Sequence, residues 1–448
     1  MLDHPFPLRL NLDHHGDPEV AELLSEAATV RRWIDVEVAL AAAQAELGVV
    51  AHDHAEAIRV AAQSFEVDRE LLWRESEVVG YPILPLLGQF AAHLPEEAAG
   101  SLHLGATTQD IMDTALAMQL RQVTDVLLRR VGALGDALAE QVERHSGTVM
   151  VGRTHGQVAV PTTFGAKLAT YLAECLRHRE RLWRLRSQVA MVSLAGAGGT
   201  AAGYGPHARA IREGVARRLG LAVPIAPWHV SRDVPAETCL AFTLAAATCT
   251  RLGREVVELS RDEIGELGEA RGHHRGASST MPQKHNPVLA ESIIGLGVSS
   301  GASAAAILRA MEAGHERAAG EWHVEWDALP TVAYAAGGAL RRSEQLVRSW
   351  DVDVERMSAN AERFAVELVA ERCMLLAARK LGRVRAHDLL YAALRAPGER
   401  REQVRDALAS QGVAVPDDLF EPSAYTGQAT DTARQVVAAW RDRGRAVS

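Results

Sequence analysis

One apolar stripe with helical spacing constrains the fold of this 448-residue chain more than any other feature. The stripe begins at Met112 and continues every three or four residues through Leu116, Leu120, Val123, Leu127, Val131, Leu134, Leu138 and Val142. Residues at this spacing lie on one face of an α-helix. At 1.5 Å per residue such a helix is roughly 50 Å long, well beyond the usual globular length. Because helices of this length occur in bundles, the stripe predicts a helix bundle.

Other segments repeat the helical period. A second long stripe runs from Phe164 to Val189 and follows Pro161, a residue that suits the first turn of a helix. Further windows with this spacing cover residues 31–47, 237–267, 287–311 and 329–349. No segment alternates apolar and polar residues for long enough to predict a sheet. We therefore expect an all-α fold.

The chain is long enough for several domains. We predict an N-terminal helical domain over residues 1–100 and a central bundle of very long helices over residues 101–349. After Trp350 the helical windows shorten and the charge rises, which predicts a C-terminal helical domain over residues 350–448. Long helices leave apolar stripes uncovered on a single chain, so we also expect a homo-oligomer.

The composition excludes several classes of protein. The chain has 48 Lys and Arg against 57 Asp and Glu, and the two signs are interspersed, so we expect no nucleic-acid or membrane-surface partner. The N-terminus lacks a basic region followed by an apolar run, so we predict no signal peptide and a cytoplasmic protein. Four widely spaced cysteines predict reduced thiols packed in helices. Residues 288–308 have membrane length, but Glu291 and many small residues favour a buried helix.

Three polar segments interrupt the helical windows. In the first, SLHLGATTQDIMD (101–113), amides and hydroxyls at the start of the first long helix offer a carboxylate site. Plain N-capping by Thr and Asp110 is the alternative. The second, GRTHGQVAVPTT (152–163), places Arg153, His155 and Gln157 before the second long helix. A single histidine is more often structural than catalytic, so both interpretations stay open there.

The third segment, GASSTMPQKHNP (276–287), contains almost no apolar bulk for a core. Its serines offer a base or nucleophile, Lys284 offers a cation and Asn286 a neutral donor. Pro282 and Pro287 stiffen the loop. A turn alone does not require Lys and Asn two residues apart, so the segment favours a functional site.

Taken in order, SLHLGATTQD, GRTHGQ and SSTMPQKHNP resemble the three signature regions of the fumarase/aspartase superfamily. The runs HERAAGEWHVEWDALP (315–330) and PWHVSRD (227–233) are similar to the 3-carboxy-cis,cis-muconate cycloisomerase branch. GRTHGQ is closer to adenylosuccinate lyase and other C–N lyases. Trp322 and Trp326, four residues apart, indicate one packed helix face rather than part of a metal site. One departure is Ala277, where the superfamily usually has glycine.

The resemblance implies a lyase that works by anti β-elimination or the reverse addition through an aci-carboxylate. It implies Ser278 as the base, with Ser279 as the other candidate. It also implies His155 as the general acid, oriented by Glu291. The resemblance also implies substrate-binding positions, which are His103, Thr107, Thr108, Gln109, Arg153, Thr154, Gln157, Met281, Lys284 and Asn286. Arg232 is a candidate second anion clamp.

The preferred hypothesis is a cycloisomerase-like lyase acting on a small di- or tricarboxylate. The alternative is a C–N lyase that releases fumarate from an N-substituted succinate. A non-catalytic relative is disfavoured because Ser278, Lys284, Asn286, His155 and Glu291 are all present. We expect a homotetramer with sites shared between chains, and neither a cofactor nor a metal.

Overall fold

The computed structural model describes residues 15–446, with side chains to residue 442. The chain divides into two compact units. The first unit combines the residues up to Val131 with His178–Ala247 and Gly295–Arg341. The second combines Gly132–Arg177, Thr248–Ile294 and the residues from Arg342 onward. The predicted division into three domains stays a prediction.

Between Pro18 and the first long helix lie six helices: α1 (Pro18–Leu23), α2 (Glu26–Ala45), α3 (His52–Ser64), α4 (Arg69–Val79), α5 (Ile83–Ala91) and α6 (Glu96–Ala99). Ser25 caps α2 by accepting a hydrogen bond from the Ala28 amide, and Asp68 caps α4 in the same way. Helices α2 to α5 bury one apolar core that includes Ile34, Ile58 and Phe90. This part of the first unit therefore has a hydrophobic core of its own.

The predicted long helices are present. Helix α7 (Thr108–Arg144) has 37 residues, and α8 (Phe164–Gln188) has 25. From Leu120 to Val142, the residues of the predicted α7 stripe are buried. The remaining long helices are α10 (Asp233–Leu259), α11 (Val288–Ala310) and α12 (Glu321–Ser349); the shorter α9 (Ala208–Leu219) and a 3₁₀ turn (Ala202–His207) precede α10. The prediction of an all-α fold is confirmed.

A β-hairpin between α7 and α8 was not predicted. Strands β1 (Val149–Thr154) and β2 (Gln157–Thr163) pair antiparallel, with a register shift after Gly152. The expectation that Pro161 starts the second long helix is wrong, because Pro161 lies in β2 opposite Val151 and the helix begins at Phe164. A two-stranded hairpin tolerates this proline because each strand has an unpaired edge.

The expectation that residues 288–308 form a buried helix is also wrong for the single chain. Helix α11 is long and apolar enough to cross a membrane by length and composition, but only 28% of its most apolar stretch is buried. Val298 and Leu308 are 56% and 44% exposed. Its small residues therefore leave an apolar face that this chain does not cover.

The C-terminal part of the second unit consists of shorter helices, as the sequence predicts. They are α13 (Val354–Arg363), α14 (Ala365–Leu368), α15 (Ala370–Leu381), α16 (Arg383–Arg395), α17 (Arg400–Ser410) and α18 (Ala429–Ala446), with a 3₁₀ turn at Pro422–Tyr425. Two-residue strands β3 (Leu267–Gly268) and β4 (Asp351–Val352) pair antiparallel. The core here includes Val369, Leu390 and Phe420.

All four cysteines are free and buried, and each lies in a helix: Cys175, Cys239, Cys249 and Cys373. Burial raises the pKa of each thiol. The prediction of reduced, helix-packed cysteines is confirmed.

Candidate active site

The first predicted motif begins helix α7 through a buried carboxylate. Asp110 is 1% exposed and accepts a hydrogen bond from the Thr107 amide at 3.2 Å, so it caps the helix start. It also accepts from the amide of Ala195 at 2.8 Å and from the Tyr204 hydroxyl at 3.1 Å. Burial raises the pKa of Asp110, although the backbone donors oppose the rise. Capping is thus the role of Asp110, and Thr108 is the first residue of the helix.

Gln109, one of the predicted carboxylate ligands, is 2% exposed and engaged by the protein itself. Its amide nitrogen donates to Asp113 Oδ2 at 3.0 Å and to the carbonyl of His229 at 2.8 Å. Its amide oxygen accepts from the guanidinium of Arg317. Gln109 therefore orients three neighbouring residues in the first unit.

His103, also predicted to face substrate, is oriented by a buried acid. Its Nδ1 lies 2.6 Å from Oε1 of Glu37, which is 2% exposed. The backbone of His103 has φ +60°, a left-handed conformation that is uncommon for a residue with a side chain. The contact with Glu37 fixes one ring nitrogen and leaves Nε2 to meet another partner.

Arg232, the predicted second anion clamp, binds two carboxylates of the protein. It is 2% exposed and donates to Asp113 at 2.8 and 3.1 Å and to Glu325 Oε1 at 2.8 Å. Its guanidinium also lies over the ring of Trp228, 4.9 Å from the ring centroid. Burial alone would lower the pKa of Arg232, but the two acids raise it overall. Binding of a substrate anion by Arg232 stays a prediction, and such an anion would compete with both acids.

The second motif forms the turn of the β-hairpin. His155 and Gly156 occupy the two turn positions with φ +53° and +75°, the signs that a type I′ turn requires. His155, Thr154 and Gln157 are exposed. Arg153 makes a two-pronged ion pair with the buried Glu266 at 2.7 and 2.9 Å. The hairpin thus presents His155 at its tip, while Arg153, two residues earlier, anchors the hairpin close to that tip.

The third motif places two backbone amides on one serine. Ser278 Oγ accepts from the amide of Met281 at 3.0 Å and from that of Thr280 at 3.3 Å. Ser279 is exposed, and its hydroxyl has no hydrogen bond within residues 15–446. Amide donors stabilise the charged form of an oxygen more than its neutral form. This geometry favours an alkoxide at Ser278 and gives no such support at Ser279.

Other groups of the loop face solvent. Lys284 and His285 are exposed, Met281 is 44% exposed, and Asn286 is partly buried. The Lys284 amide donates to the Met281 carbonyl at 3.1 Å, and the Asn286 amide donates to the Gly276 carbonyl at 2.8 Å. The loop therefore exposes the side chains of Lys284 and His285.

Glu291, in the first turn of α11, is exposed. Among the described residues no hydrogen bond joins it to His155. The predicted pairing of these two residues stays a prediction. No group of three His, Cys, Asp or Glu within residues 15–446 has the geometry of a metal site.

Sequence reasoning missed several residues that shape the site. Asp113 and Glu325 balance Arg232, and Glu266 anchors Arg153. His229 and Arg317 contact Gln109 and lie within the runs PWHVSRD and HERAAGEW. The signal that could have found His229 and Arg317 is that each lies in a short polar run directly before a long helix.

The buried acids predict a pH dependence of stability. Burial raises the pKa of Asp113 to about 6 from 3.8; Arg232 opposes the rise and Glu325 adds to it. The folded chain holds this proton more tightly than the unfolded chain, so the contribution of Asp113 to stability falls as the pH rises between these two values. We expect the thermal midpoint of the wild type, relative to D113N, to rise as the pH is lowered from about 7.5 to about 5.

The matched control for this experiment is D327N, because Asp327 is an exposed acid on the same helix as Glu325. Its thermal midpoint should follow that of the wild type at each pH. A difference between D113N and the wild type that does not change with pH would contradict the raised pKa.

Comparisons with known proteins identify the family of this chain. The family model described as Lyase matches residues 15–299, more than half of the chain. The 3-carboxy-cis,cis-muconate cycloisomerase of Pseudomonas putida is 38% identical over 86% of this chain and 92% of its own length. The N-acetyl-S-(2-succino)cysteine lyase of Dickeya dadantii is 32% identical over 98% of both chains.

A solved structure shares the fold along nearly the whole length. The crystal structure of 3-carboxy-cis,cis-muconate lactonizing enzyme from Pseudomonas putida matches with a TM-score of 0.88 and 33% identity, covering 97% of this chain and 99% of that one. The family model and these relatives confirm the resemblance that the three motifs carry. The chain is therefore an enzyme that belongs to the lyase family of the fumarase/aspartase superfamily.

Proposed function

We propose that this chain catalyses the reversible closure of a γ-lactone on a carboxylated muconate, with Ser278 exchanging the proton at the reacting carbon. The observation that carries the proposal is the pair of amides, from Thr280 and Met281, that donate to Ser278 Oγ. The choice of substrate rests on relatives named as muconate cycloisomerases.

The difficult step is the exchange of a proton at carbon next to a carboxylate. A free serine hydroxyl is too weak a base for it, so its alkoxide must be stabilised. The two amides supply fixed dipoles at Oγ, as an oxyanion hole does, and removal of one such donor typically costs about 10²–10³ in kcat. Ser278 is therefore the base in the lactone-opening direction and the acid in the closing direction.

The closing reaction is an intramolecular addition. A substrate carboxylate oxygen bonds to one carbon of a conjugated double bond, and the electron pair moves onto the neighbouring carbon and its carboxylate. Ser278 then gives its proton to that carbon and recovers one from solvent. The product carries one carboxylate fewer, so one proton is taken up in each turnover.

The aci-carboxylate formed between these steps needs positive charge and hydrogen-bond donors. Lys284 and Asn286 follow Ser278 within the same loop and supply a cation and an amide. Lys284 is exposed on this loop, so closure of the loop over the substrate would bring these groups to it and exclude water. Glu291 orients His155 in this proposal, and their exposed positions leave both available for that contact.

A second candidate is a lyase that releases fumarate from a substituted succinate. His155 in GRTHGQ favours it, because an imidazole at the exposed hairpin tip is suited to protonate a leaving nitrogen or sulfur. The relative named N-acetyl-S-(2-succino)cysteine lyase, which matches over 98% of the chain, supports this candidate. Both candidates use the same base.

We expect S278A to lose roughly 10³-fold or more in kcat, because a general base contributes about 10²–10⁴-fold to the rate. The neighbouring Ser279 hydroxyl lacks the two amide donors that stabilise Ser278 Oγ, so it should not replace the lost base. The matched control is S279A, which should keep kcat within about tenfold of the wild type. Circular dichroism and thermal midpoint should show both variants folded. The base assignment is wrong if S279A is the inactive variant.

A substrate panel separates the two candidates. In one absorbance assay, 3-carboxy-cis,cis-muconate is the substrate and the loss of its chromophore is measured. In a parallel assay, N- and S-substituted succinates are the substrates and the appearance of the ultraviolet band of fumarate is measured. We expect muconate turnover with kcat/KM at least about a hundredfold above that of any succinate, because differential transition-state binding sets such ratios. Fumarate release without muconate turnover would instead establish the second candidate.

The same proposal includes a homotetramer whose sites are shared between chains. Helix α11 supports it, since its apolar surface is uncovered within one chain and would be buried between copies. Multi-angle light scattering should give about four times the 48.3 kDa chain mass. Replacement of Val298, which is 56% exposed, by Glu should shift the mass towards smaller species, whereas a monomeric wild type would defeat the proposal.

The proposal also includes a cytoplasmic location and the absence of a nucleic-acid or membrane partner. The net charge of −9 with interspersed signs supports it. Assembly between copies, rather than insertion into a membrane, is the role of the apolar face of α11 in this proposal.

A further inference from the structure

His229 is a buried histidine with two unused ring nitrogens. It is 7% exposed, and neither Nδ1 nor Nε2 has a hydrogen-bond partner within residues 15–446. The backbone of Glu316 approaches the ring without forming a hydrogen bond of normal geometry. Buried polar atoms are rarely left unpaired, because each loses its hydration without compensation. The two ring nitrogens are therefore available to hydrogen-bond to a ligand.

The surroundings of His229 hold its ring in place. Gly199 packs against it with φ +79°, and a Cβ at that position would lie 2.7 Å from the ring carbon Cε1. Only glycine lets the loop pass there. On the other side of the backbone, Gln109 donates to the His229 carbonyl at 2.8 Å. The orientation of the imidazole is thus fixed before any ligand binds.

Arg317 brings an uncompensated positive charge to the same place. Its guanidinium donates to Gln109 Oε1, to the carbonyl of Ala197 at 2.8 Å and to that of Gly196 at 3.5 Å. All three acceptors are neutral, and within the described chain no carboxylate pairs with Arg317. Its Nε hydrogen also stays unused there. By contrast, the charge of Arg232 is balanced by two acids.

The charge state of His229 suits a neutral donor. Burial lowers the pKa of His229, and Arg317 and Arg232 lower it further, while Asp110 and the backbone of Glu316 oppose them. A neutral imidazole donates one N–H and accepts at its other nitrogen. Next to an arginine, such a donor complements a carboxylate, which accepts on both oxygens.

We propose that His229 and Arg317 bind one carboxylate of the substrate, and that Gln109 is the positioning residue for both. The amide nitrogen of Gln109 holds the backbone of His229, and its amide oxygen holds the guanidinium of Arg317. The proposal deepens the proposed function, since it rests on a polycarboxylate substrate. It also replaces direct binding by Gln109 with binding by two residues that Gln109 holds.

The decisive variant is H229L, which removes both nitrogens but keeps the bulk. A residue that serves only packing would tolerate this change or lose stability, without any effect on anion binding. If the ring binds a carboxylate, H229L should keep or raise the thermal midpoint, because it removes two unpaired buried atoms. Its KM should rise by roughly tenfold to a hundredfold, as expected for a lost hydrogen bond to a charged group.

Direct binding is measured by calorimetry with tricarballylate, a stable tricarboxylate that does not react. Its affinity should fall by roughly tenfold or more in H229L and in R317M, and H229Q, which keeps a donor, should recover part of the loss. The matched control is H145L. His145 is 6% exposed but has a partner, Thr148 Oγ1 at 3.1 Å, so this variant should lower the midpoint and leave tricarballylate affinity unchanged.

The two proposals fail in different ways. If the wild type turns over neither muconate nor succinates but binds tricarballylate in a His229-dependent manner, the proposed function fails and the carboxylate site stands. If turnover is observed and H229L changes neither KM nor tricarballylate affinity, the site is overturned and His229 is a packing residue. Absence of both tricarballylate binding and any KM change also overturns it.

Discussion

The ion network around Arg232 is the interaction on which the first unit depends. The guanidinium lies just before helix α10 and joins Asp113 on α7 to Glu325 on α12. Two acids and one base leave one excess negative charge away from water. Removal of Arg232 would typically cost about 3–5 kcal/mol, because it would leave two buried carboxylates without a counter-charge. The network therefore fixes how the starts of three long helices meet.

That network also positions the candidate carboxylate site. Asp113 accepts from Gln109, and Gln109 in turn holds the His229 backbone and the Arg317 guanidinium. Because Gln109 lies on α7 and contacts Arg317 directly, a small shift of α7 would displace the Arg317 guanidinium through a single contact. Placement of binding groups on such an interlocked scaffold reduces the reorganisation that substrate binding requires. Stability and recognition are thus carried by one chain of polar contacts.

The long helices were predictable from the sequence, whereas the hairpin and the buried network were not. Apolar spacing identified α7 and α8 because a period of 3.6 residues over many turns has no other explanation. The hairpin was hidden because His155 occupies a turn position that usually holds Asn, Asp or Gly, and because Pro161 suggested a helix start. Arg232 was predicted to bind a substrate anion. A single sequence does not reveal that two carboxylates of the chain itself, from Asp113 and Glu325, pair with this arginine.

The choice between the two serines was likewise a matter of backbone geometry. Nothing in a serine doublet separates its members, but the backbone turn after Ser278 directs two amides at its oxygen. In most of the superfamily a glycine precedes this serine, and here Ala277 does. The left-handed position is instead taken by Gly276, with φ +66°, where a Cβ would lie 2.4 Å from the Asn286 carbonyl oxygen.

Alanine is therefore acceptable at position 277, because the strained conformation lies one residue earlier. Ala277 forms a single bridge with His285, and the Asn286 amide donates to the Gly276 carbonyl. These two contacts close the loop at its base and tie the serine to the start of α11. These contacts restrain both ends of the loop, so the proposed closure over substrate would require its backbone to bend between Ser278 and Lys284.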